Sequence, residues 1–404
     1  MCDNATIIYV GNFDYPNGNA AGKRVHGNIE AMKKAGYKTA CLCFRDGDNN
    51  GKIDHTVLDS TDRYTIPYTA GFARLNSKLP NDAFLFVLNN HEKDGIKAVI
   101  MYNSLGTTDF NSFVIKECKR RNIRVFYDIV DYFDTPQKTR FLRYLMIKRE
   151  LDRKFRKVLP QCDGWIAIST YLREKMSDPA KTIVVPPLSV KRVEKSIRHS
   201  SEAISFSYAT YVHSKNRPIS QWKDRVDAYV DVFVKVKEIK TKRPFIINFM
   251  GFDKQEMIEV FPEDIREEYS RKIDSLDPYI KYHGRMDNDK VQQVIEKSDF
   301  TILLRDSKTC NNAGFPTKVS ESISLGVPVV VNPTSDIAEY IKDGVNGVIL
   351  PPPSDIDGIV EKIVEILNMS DDELQNLRNG AAKTDGFYFE SYSDVFRRYF
   401  DSFA

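Results

Sequence analysis

The sequence has no apolar run approaching the roughly 18–20 residues that a membrane-spanning helix needs, so a helical transmembrane protein is not expected. Its six histidines form no metal set. Its six cysteines (Cys2, Cys41, Cys43, Cys118, Cys162 and Cys310) are scattered without zinc-like spacing. They are expected as free thiols that mostly fill core, and neither a metal nor a separate cofactor is expected. The formal net charge is only +3, too small to indicate nucleic acid as a partner. Met1 leads almost at once into a strand-like run at residues 5–10, without a basic leader and apolar signal region, so a cytoplasmic location is expected. What remains is a soluble globular composition, 42% hydrophobic and 28% charged.

At 404 residues the chain exceeds one hydrophobic core, and two domains are expected. In the first half, short apolar runs at residues 5–10, 37–44, 98–102, 124–127 and 164–168 alternate with helical patterns. Runs of this kind read as strands covered on both faces, and their alternation with helices predicts a doubly wound parallel sheet. Cys41 and Cys43 alternate within one run, which puts both thiols on one face. A second series begins at residues 204–208 and continues through 245–250, 279–283, 300–304 and 327–331. The expected class is α/β with two Rossmann-like doubly wound domains. The first spans 1–188, a polar linker 189–203, the second 204–384, and an aromatic helix at 385–404 closes the chain.

The densest chemical signal is Asn312-Ala313-Gly314-Phe315-Pro316-Thr317-Lys318-Val319-Ser320-Glu321. It follows the apolar run 300–304 and precedes Gly326 and the next apolar run. Strand, loop, short helix, stopping glycine and strand make a βαβ unit. A helix start after such a loop offers unpaired N–H groups and a positive dipole end, which suit a phosphate. Lys318 and Glu321 share a helix face. The cation suits a diphosphate, and the carboxylate can accept hydrogen bonds from ribose hydroxyls. Spacing alone leaves a second reading open, a capped helix with an ordinary ion pair. Arg305 stands at the carboxyl end of the preceding strand, where doubly wound sheets bind ligands. It can reach a phosphate or pair with Asp299 or Asp306.

This stretch resembles the sugar-nucleotide loop of retaining GT-B glycosyltransferases. It looks most like the bacterial members of glycosyltransferase family 4 that build capsular and exopolysaccharides. The resemblance extends upstream through His283-Gly284-Arg285, Ser298-Asp299 and Arg305. Downstream it takes in Asn332, Thr334-Ser335-Asp336, Glu339-Tyr340-Ile341, Gly344 and Asn346-Gly347. It implies a GT-B fold with a central cleft and a C-terminal helix that crosses back to the first domain. It also implies Glu321 on the donor ribose, Gly284 and Arg285 at the donor, and Lys223 on the diphosphate. The loop residues Lys215 and Arg217 are alternatives to Lys223. Two departures stand out. Where the family often has a first glutamate this chain has Ala313, and where it often has an N-domain histidine this chain has Val130.

Other residues carry a ligand reading beside a plain one. Gly18–Gly22 is a small-residue loop after the first strand, where a phosphate or sugar can approach the backbone at Asn19 or Gly22. A flexible loop is the alternative. Lys23 and Arg24 read as donor or acceptor contacts, or as exposed helix-start cations. Asp128 and Asp131 read as sugar or acceptor contacts, or as loop caps. Two patterns are decoys. Residues 46–51 begin like a calcium loop but lack its bidentate glutamate at Val57. Asp287-Asn288-Asp289 mimics a metal-binding motif and is expected to cap the helix beginning near Lys290.

From Lys138 to Lys157 nine cations stand against Glu150 and Asp152, interleaved with Phe141, Leu142, Leu145, Met146 and Leu151. Such a helix suits an anionic membrane surface or a lipid diphosphate, and also a packed helix with a wet basic face. The resemblance implies a retaining, metal-independent transferase. It would move sugar from a UDP- or GDP-linked donor to a surface glycan or lipid-linked acceptor, with Lys223, Lys318 and Glu321 in the catalytic roles. It could sit on the inner membrane face. The alternatives are a sugar-nucleotide epimerase or hydrolase of the same fold, and a non-catalytic sugar-nucleotide-binding subunit.

Overall fold

The structure, a computed structural model, describes residues 5–45, 52–67, 78–102, 107–132, 141–194, 196–198, 202–210 and 218–403. Lys138, Arg140, Lys215, Arg217 and the 46–51 loop lie outside the described residues. The chain divides into two compact units. The first comprises Met1–Val190, Ala313–Phe315 and Tyr388–Ala404. The second comprises Lys191–Asn312 and Pro316–Phe387.

In the first unit the strands are β1 (Thr6–Gly11), β2 (Lys38–Arg45), β3 (Asp54–Leu58), β4 (Thr61–Pro67), β5 (Ile96–Tyr102), β6 (Arg124–Ile129), β7 (Gly164–Ala167) and β8 (Thr182–Val184). They form one sheet in the order β3-β4-β2-β1-β5-β6-β7-β8. Every pairing is parallel except β3 with β4. The central strand β1 is apolar but for Thr6 and all six of its residues are buried, as in a sheet covered on both faces. The helix Ala20–Lys34 begins on Asn19, whose side chain accepts from the Gly22 N–H at 2.7 Å. The last helix, Ser393–Asp401, packs in this unit. The Arg397 guanidinium donates to the carbonyl of Ala35 at 2.8 Å, where orphan helix-end carbonyls need donors. Tyr399 donates to the Trp165 carbonyl at 3.0 Å, and the Phe400 ring meets those of Tyr37 and Phe126.

The second unit has β9 (Ile204–Ala209), β10 (Phe245–Met250), β11 (Ile280–Tyr282), β12 (Phe300–Leu303), β13 (Val329–Val331) and β14 (Gly347–Ile349). All are parallel, in the order β11-β10-β9-β12-β13-β14. The Phe206 and Phe300 rings stack between the two central strands. Of the polar linker expected at 189–203, the residues from Lys191 onward group with this unit. The reason is charge pairing inside the fold: buried Arg198 donates to buried Asp299 at 2.5 Å. The expected α/β class with two doubly wound, Rossmann-like units is what the chain adopts.

Each sheet has a topological switch, β1 beside β5 in the first and β9 beside β12 in the second. Open parallel sheets bind ligands outside the carboxyl ends of the strands at such a switch. In the second unit those ends are Thr210, directly after β9, and Leu304-Arg305, directly after β12.

Candidate functional site

The helix Thr317–Ser324 starts on Pro316, whose side chain offers no capping bond. It stops at Gly326, which has φ +67°. There Val327 N–H donates to Ser322 O at 3.0 Å and Gly326 N–H to Ile323 O at 2.9 Å, a Schellman ending. A Cβ at Gly326 would stand 2.5 Å from Ser196 Cβ, so the position requires glycine twice over. Thr317, Lys318 and Glu321 are half-buried on this helix, and Gly314, Phe315 and Pro316 before it are buried.

Lys318 does not pair with Glu321. Its Nζ donates to Asp224 Oδ2 at 2.9 Å and lies 5.3 Å from the centre of the Tyr208 ring. Arg305 pairs with neither Asp299 nor Asp306. Its Nε donates to the other Asp224 oxygen, Oδ1, at 2.6 Å. Thr210 Oγ1 adds a third donor, to Oδ2 at 3.0 Å. Asn332 fixes the backbone of Arg305 from both sides, accepting its N–H at 2.9 Å and donating to its carbonyl at 2.7 Å. Asp224 is thus a buried carboxylate held between two cations at the switch point of the second sheet.

Burial alone would raise the pKa of the Asp224 carboxyl. Lys318 and Arg305 outweigh it and hold the group well below the usual carboxylate range. Its folded pKa is depressed, so the stability it contributes is present above the unfolded value of about 3.9 and is lost as pH falls below it. Burial pulls the Lys318 ammonium below its ordinary value; Asp224 and Glu321 oppose this and Arg305 adds to it.

Asp224 was missed in the sequence because it sits in the run Lys223-Asp224-Arg225, which shows charge but no periodicity. A backbone bond decides which way the run faces: Arg225 N–H donates to Leu304 O at 2.9 Å and ties the stretch to the end of β12. Lys223, expected at the diphosphate, is exposed and forms no ion pair among the described residues. Arg225 turns to Asp227 and Asp306, each at 2.7 Å. The signal that could have found Asp224 is the need of two strand-end and helix-start cations for a counter-charge.

Gly284 has φ +62°, and its carbonyl accepts the Gly251 N–H at 2.8 Å. Arg285 is exposed and donates to Glu256 at 3.2 Å. Asp287 holds the N-cap position of the helix Asn288–Lys297, but its side chain makes no capping bond. Among the described residues no group of three or more His, Cys, Asp or Glu could hold a metal ion.

The first unit departs from expectation at Arg24, Asp128 and Gly22. Arg24 and Asp128 are not surface contacts for an acceptor. Both are buried, and Arg24 Nη2 donates to Asp128 Oδ1 at 2.7 Å. Arg24 also donates to Val185 O at 2.8 Å, and the Tyr9 hydroxyl donates to Asp128 Oδ2 at 2.8 Å. These donors neutralise a carboxylate that water does not reach. Gly22 is a packing position as well: a Cβ there would stand 1.9 Å from the Asp14 carbonyl oxygen. Asn19 is exposed and spends its side-chain oxygen on the helix start, while Lys23 and Asp131 are half-buried.

The basic segment forms the helix Phe141–Arg153 followed by one π-helical turn, Lys154–Val158. Lys154 is not on a wet face. It is 2% exposed, with Nζ 5.5 Å from the Tyr127 ring centre, and burial pushes its ammonium down to about 8 against the pull of Asp131 and Glu150. The outward side is different. Leu145, Lys148, Arg149, Asp152, Arg153, Arg156 and Lys157 line a shallow cavity of about 430 Å³, and Leu145 and Met146 are both exposed. No helix among the described residues is long and apolar enough to cross a membrane.

Residues 262–384 match the family described as glycosyl transferases group 1. No curated protein sequence matches the chain. Among solved structures, the apo lipopolysaccharide outer core galactosyltransferase WaaB is 16% identical, with a TM-score of 0.60 over 99% of this chain and 100% of that one. The sucrose-phosphate synthase from Thermosynechococcus elongatus is 13% identical, with a TM-score of 0.65 over 98% of this chain and all of that one. Anabaena HepE in complex with UDP is 12% identical, with a TM-score of 0.61 over 98% and 100%. The fold is that of the GT-B glycosyltransferases, and the matched domain together with this fold supports a glycosyltransferase.

Proposed function

We propose that the chain is a retaining, metal-independent glycosyltransferase resembling family 4. It would take sugar from a UDP- or GDP-linked donor and pass it to a surface glycan or a lipid-linked acceptor. The single observation that carries this reading is the pair Arg305 and Lys318, both on Asp224, at the switch point of the second sheet and at an uncapped helix start. In the proposed site the two cations and the N–H groups of Thr317 and Lys318 meet the diphosphate, and Glu321 accepts from the ribose hydroxyls. Charge that builds on the leaving diphosphate is stabilised by these groups, which are fixed before the reaction begins. Lys223, exposed beside Asp224 on a long flexible stem, joins them as a secondary contact. Gly284 and Arg285 stand at the donor edge of the same unit. The HepE complex makes UDP the first nucleotide to try. Incubation with a panel of UDP- and GDP-sugars, with and without lipid-linked or glycan acceptors, tests the reading. Nucleotide release that depends on both donor and acceptor is expected. Donor binding without release would favour the non-catalytic subunit, a reading that Ala313 supports.

We also propose that the outward face of the helix Phe141–Arg153 and the turn after it docks on an anionic membrane, where a lipid-linked acceptor would be found. The motive is the cluster Lys148, Arg149, Arg153, Arg156 and Lys157 beside exposed Leu145 and Met146. Each cation near an anionic bilayer contributes about 1 kcal/mol, reduced by salt. Wild type should co-sediment with phosphatidylglycerol vesicles at low salt and less so at high salt. A Lys148/Arg149/Arg156→Ser variant should stay in the supernatant. Equal binding by the variant refutes the docking face.

A further inference from the structure

We propose that Asp224 is a positioning residue: its two oxygens hold Arg305 and Lys318 side by side as a preformed two-cation cradle for a diphosphate. This rests on the reading of the second unit as a nucleotide-sugar site. The geometry divides the carboxylate cleanly. Oδ1 takes Arg305 Nε at 2.6 Å, and Oδ2 takes Lys318 Nζ at 2.9 Å and Thr210 Oγ1 at 3.0 Å. Asp224 is 4% exposed, so its charge exists only because these donors surround it. The dependence is mutual. Two cations brought together at a strand end repel each other, and the shared carboxylate offsets that repulsion.

The arrangement also leaves donors over. Arg305 has five N–H groups and commits Nε to Asp224; its terminal nitrogens have no partner among the described residues. Lys318 has three and commits one among the described residues. Asp224 therefore aims the two side chains without consuming them, and the remaining donors can meet phosphate oxygens. Among the described residues, the groups facing Lys318 are Asp224 from the stretch before the helix Val226–Val236, Arg305 from the end of β12, Tyr208 from β9 and Glu321 from its own helix. Of these, only Asp224 and Glu321 are acidic side chains. Removing Asp224 leaves Lys318 beside an arginine with one carboxylate fewer, so Lys318 should give up its proton more easily.

The decisive experiment follows the Lys318 ammonium by NMR in protein carrying ¹³C-labelled lysine, with the signal assigned by Lys318→Arg. Calorimetry with UDP and GDP across pH accompanies it. In Asp224→Asn the Lys318 midpoint should fall by about one pH unit or more, since a unit reflects the loss of one close charge interaction. Nucleotide affinity should stay near wild type at mildly acidic pH and weaken by about tenfold or more as pH rises. Asp224→Glu should restore part of both. A purely structural aspartate would lower affinity equally at all pH values and leave the midpoint in place, and that result overturns the proposal. If Asp224→Asn does not fold, Arg305→Gln decides. It leaves Asp224 to Lys318 alone, so the midpoint should rise, and an unmoved midpoint overturns the proposal. If wild type binds neither nucleotide, the nucleotide-sugar reading fails, while the Lys318 titration still judges the clamp.

Discussion

Replacing Arg24 with alanine should destabilise the protein by about 3–5 kcal/mol, the range for stranding one member of a buried ion pair. Asp128 is fully buried, and without Arg24 it keeps the Tyr9 hydroxyl and Asn28 but no counter-charge among the described residues. The pair also bridges distant parts of the first unit: Arg24 is on the first helix, Asp128 on β6, and the Val185 carbonyl that Arg24 also holds follows β8. Urea denaturation followed by circular dichroism measures the loss. Arg24→Met with Asp128→Leu should cost less than either single loss, because no charge is left alone. A stable Arg24→Ala protein that has lost only acceptor turnover would return Arg24 to the role of an acceptor contact.

Lys318→Ala is expected to lower kcat by about 10²–10³, the size seen when one donor to a developing anion is removed. Donor affinity should fall less, because the charge it meets grows as the diphosphate leaves. Arg305 still satisfies Asp224 in this variant, so the fold should hold. Lys318→Arg, which keeps the charge but not the geometry of a point cation, should recover part of the rate. Steady-state kinetics with the donor found active gives the answer. An unchanged kcat would move the diphosphate site away from this helix.

Most of the strands in the two sheets were legible because they are short, apolar and bounded by turn residues, whereas β3, β4, β8 and β14 were not read as strands. Residues 245–250 are β10 to the residue. The antiparallel edge β3 was not legible, since most of Asp54–Leu58 is exposed and carries no apolar alternation to betray it. Charged residues inside the fold were the systematic loss. Arg24, Asp128, Arg198 and Asp224 each look like surface residues in sequence, and each is made tolerable by a partner roughly 80–160 positions away that no local pattern reveals. Lys154 is an instructive exception. Its spacing from buried Ile147 and Val158 puts it on the apolar stripe of its helix, so its burial could have been read from period alone. Lys318 and Glu321 were read as sharing one helix face, but the partner of Lys318, Asp224, was not read. Spacing constrains which residues share a face and says little about what stands opposite.

The central claim is that the carboxyl end of the second sheet binds the nucleotide of a sugar donor, with Glu321 on its ribose. Calorimetric titration of UDP and GDP into wild type and Glu321→Ala tests it most directly. One of the two nucleotides should bind wild type at a single site, and Glu321→Ala should lose about 1.5–3 kcal/mol of that affinity, the range for a hydrogen bond to a charged group. A folded Glu321→Ala protein that binds with wild-type affinity, or a wild type that binds neither nucleotide, would contradict the claim.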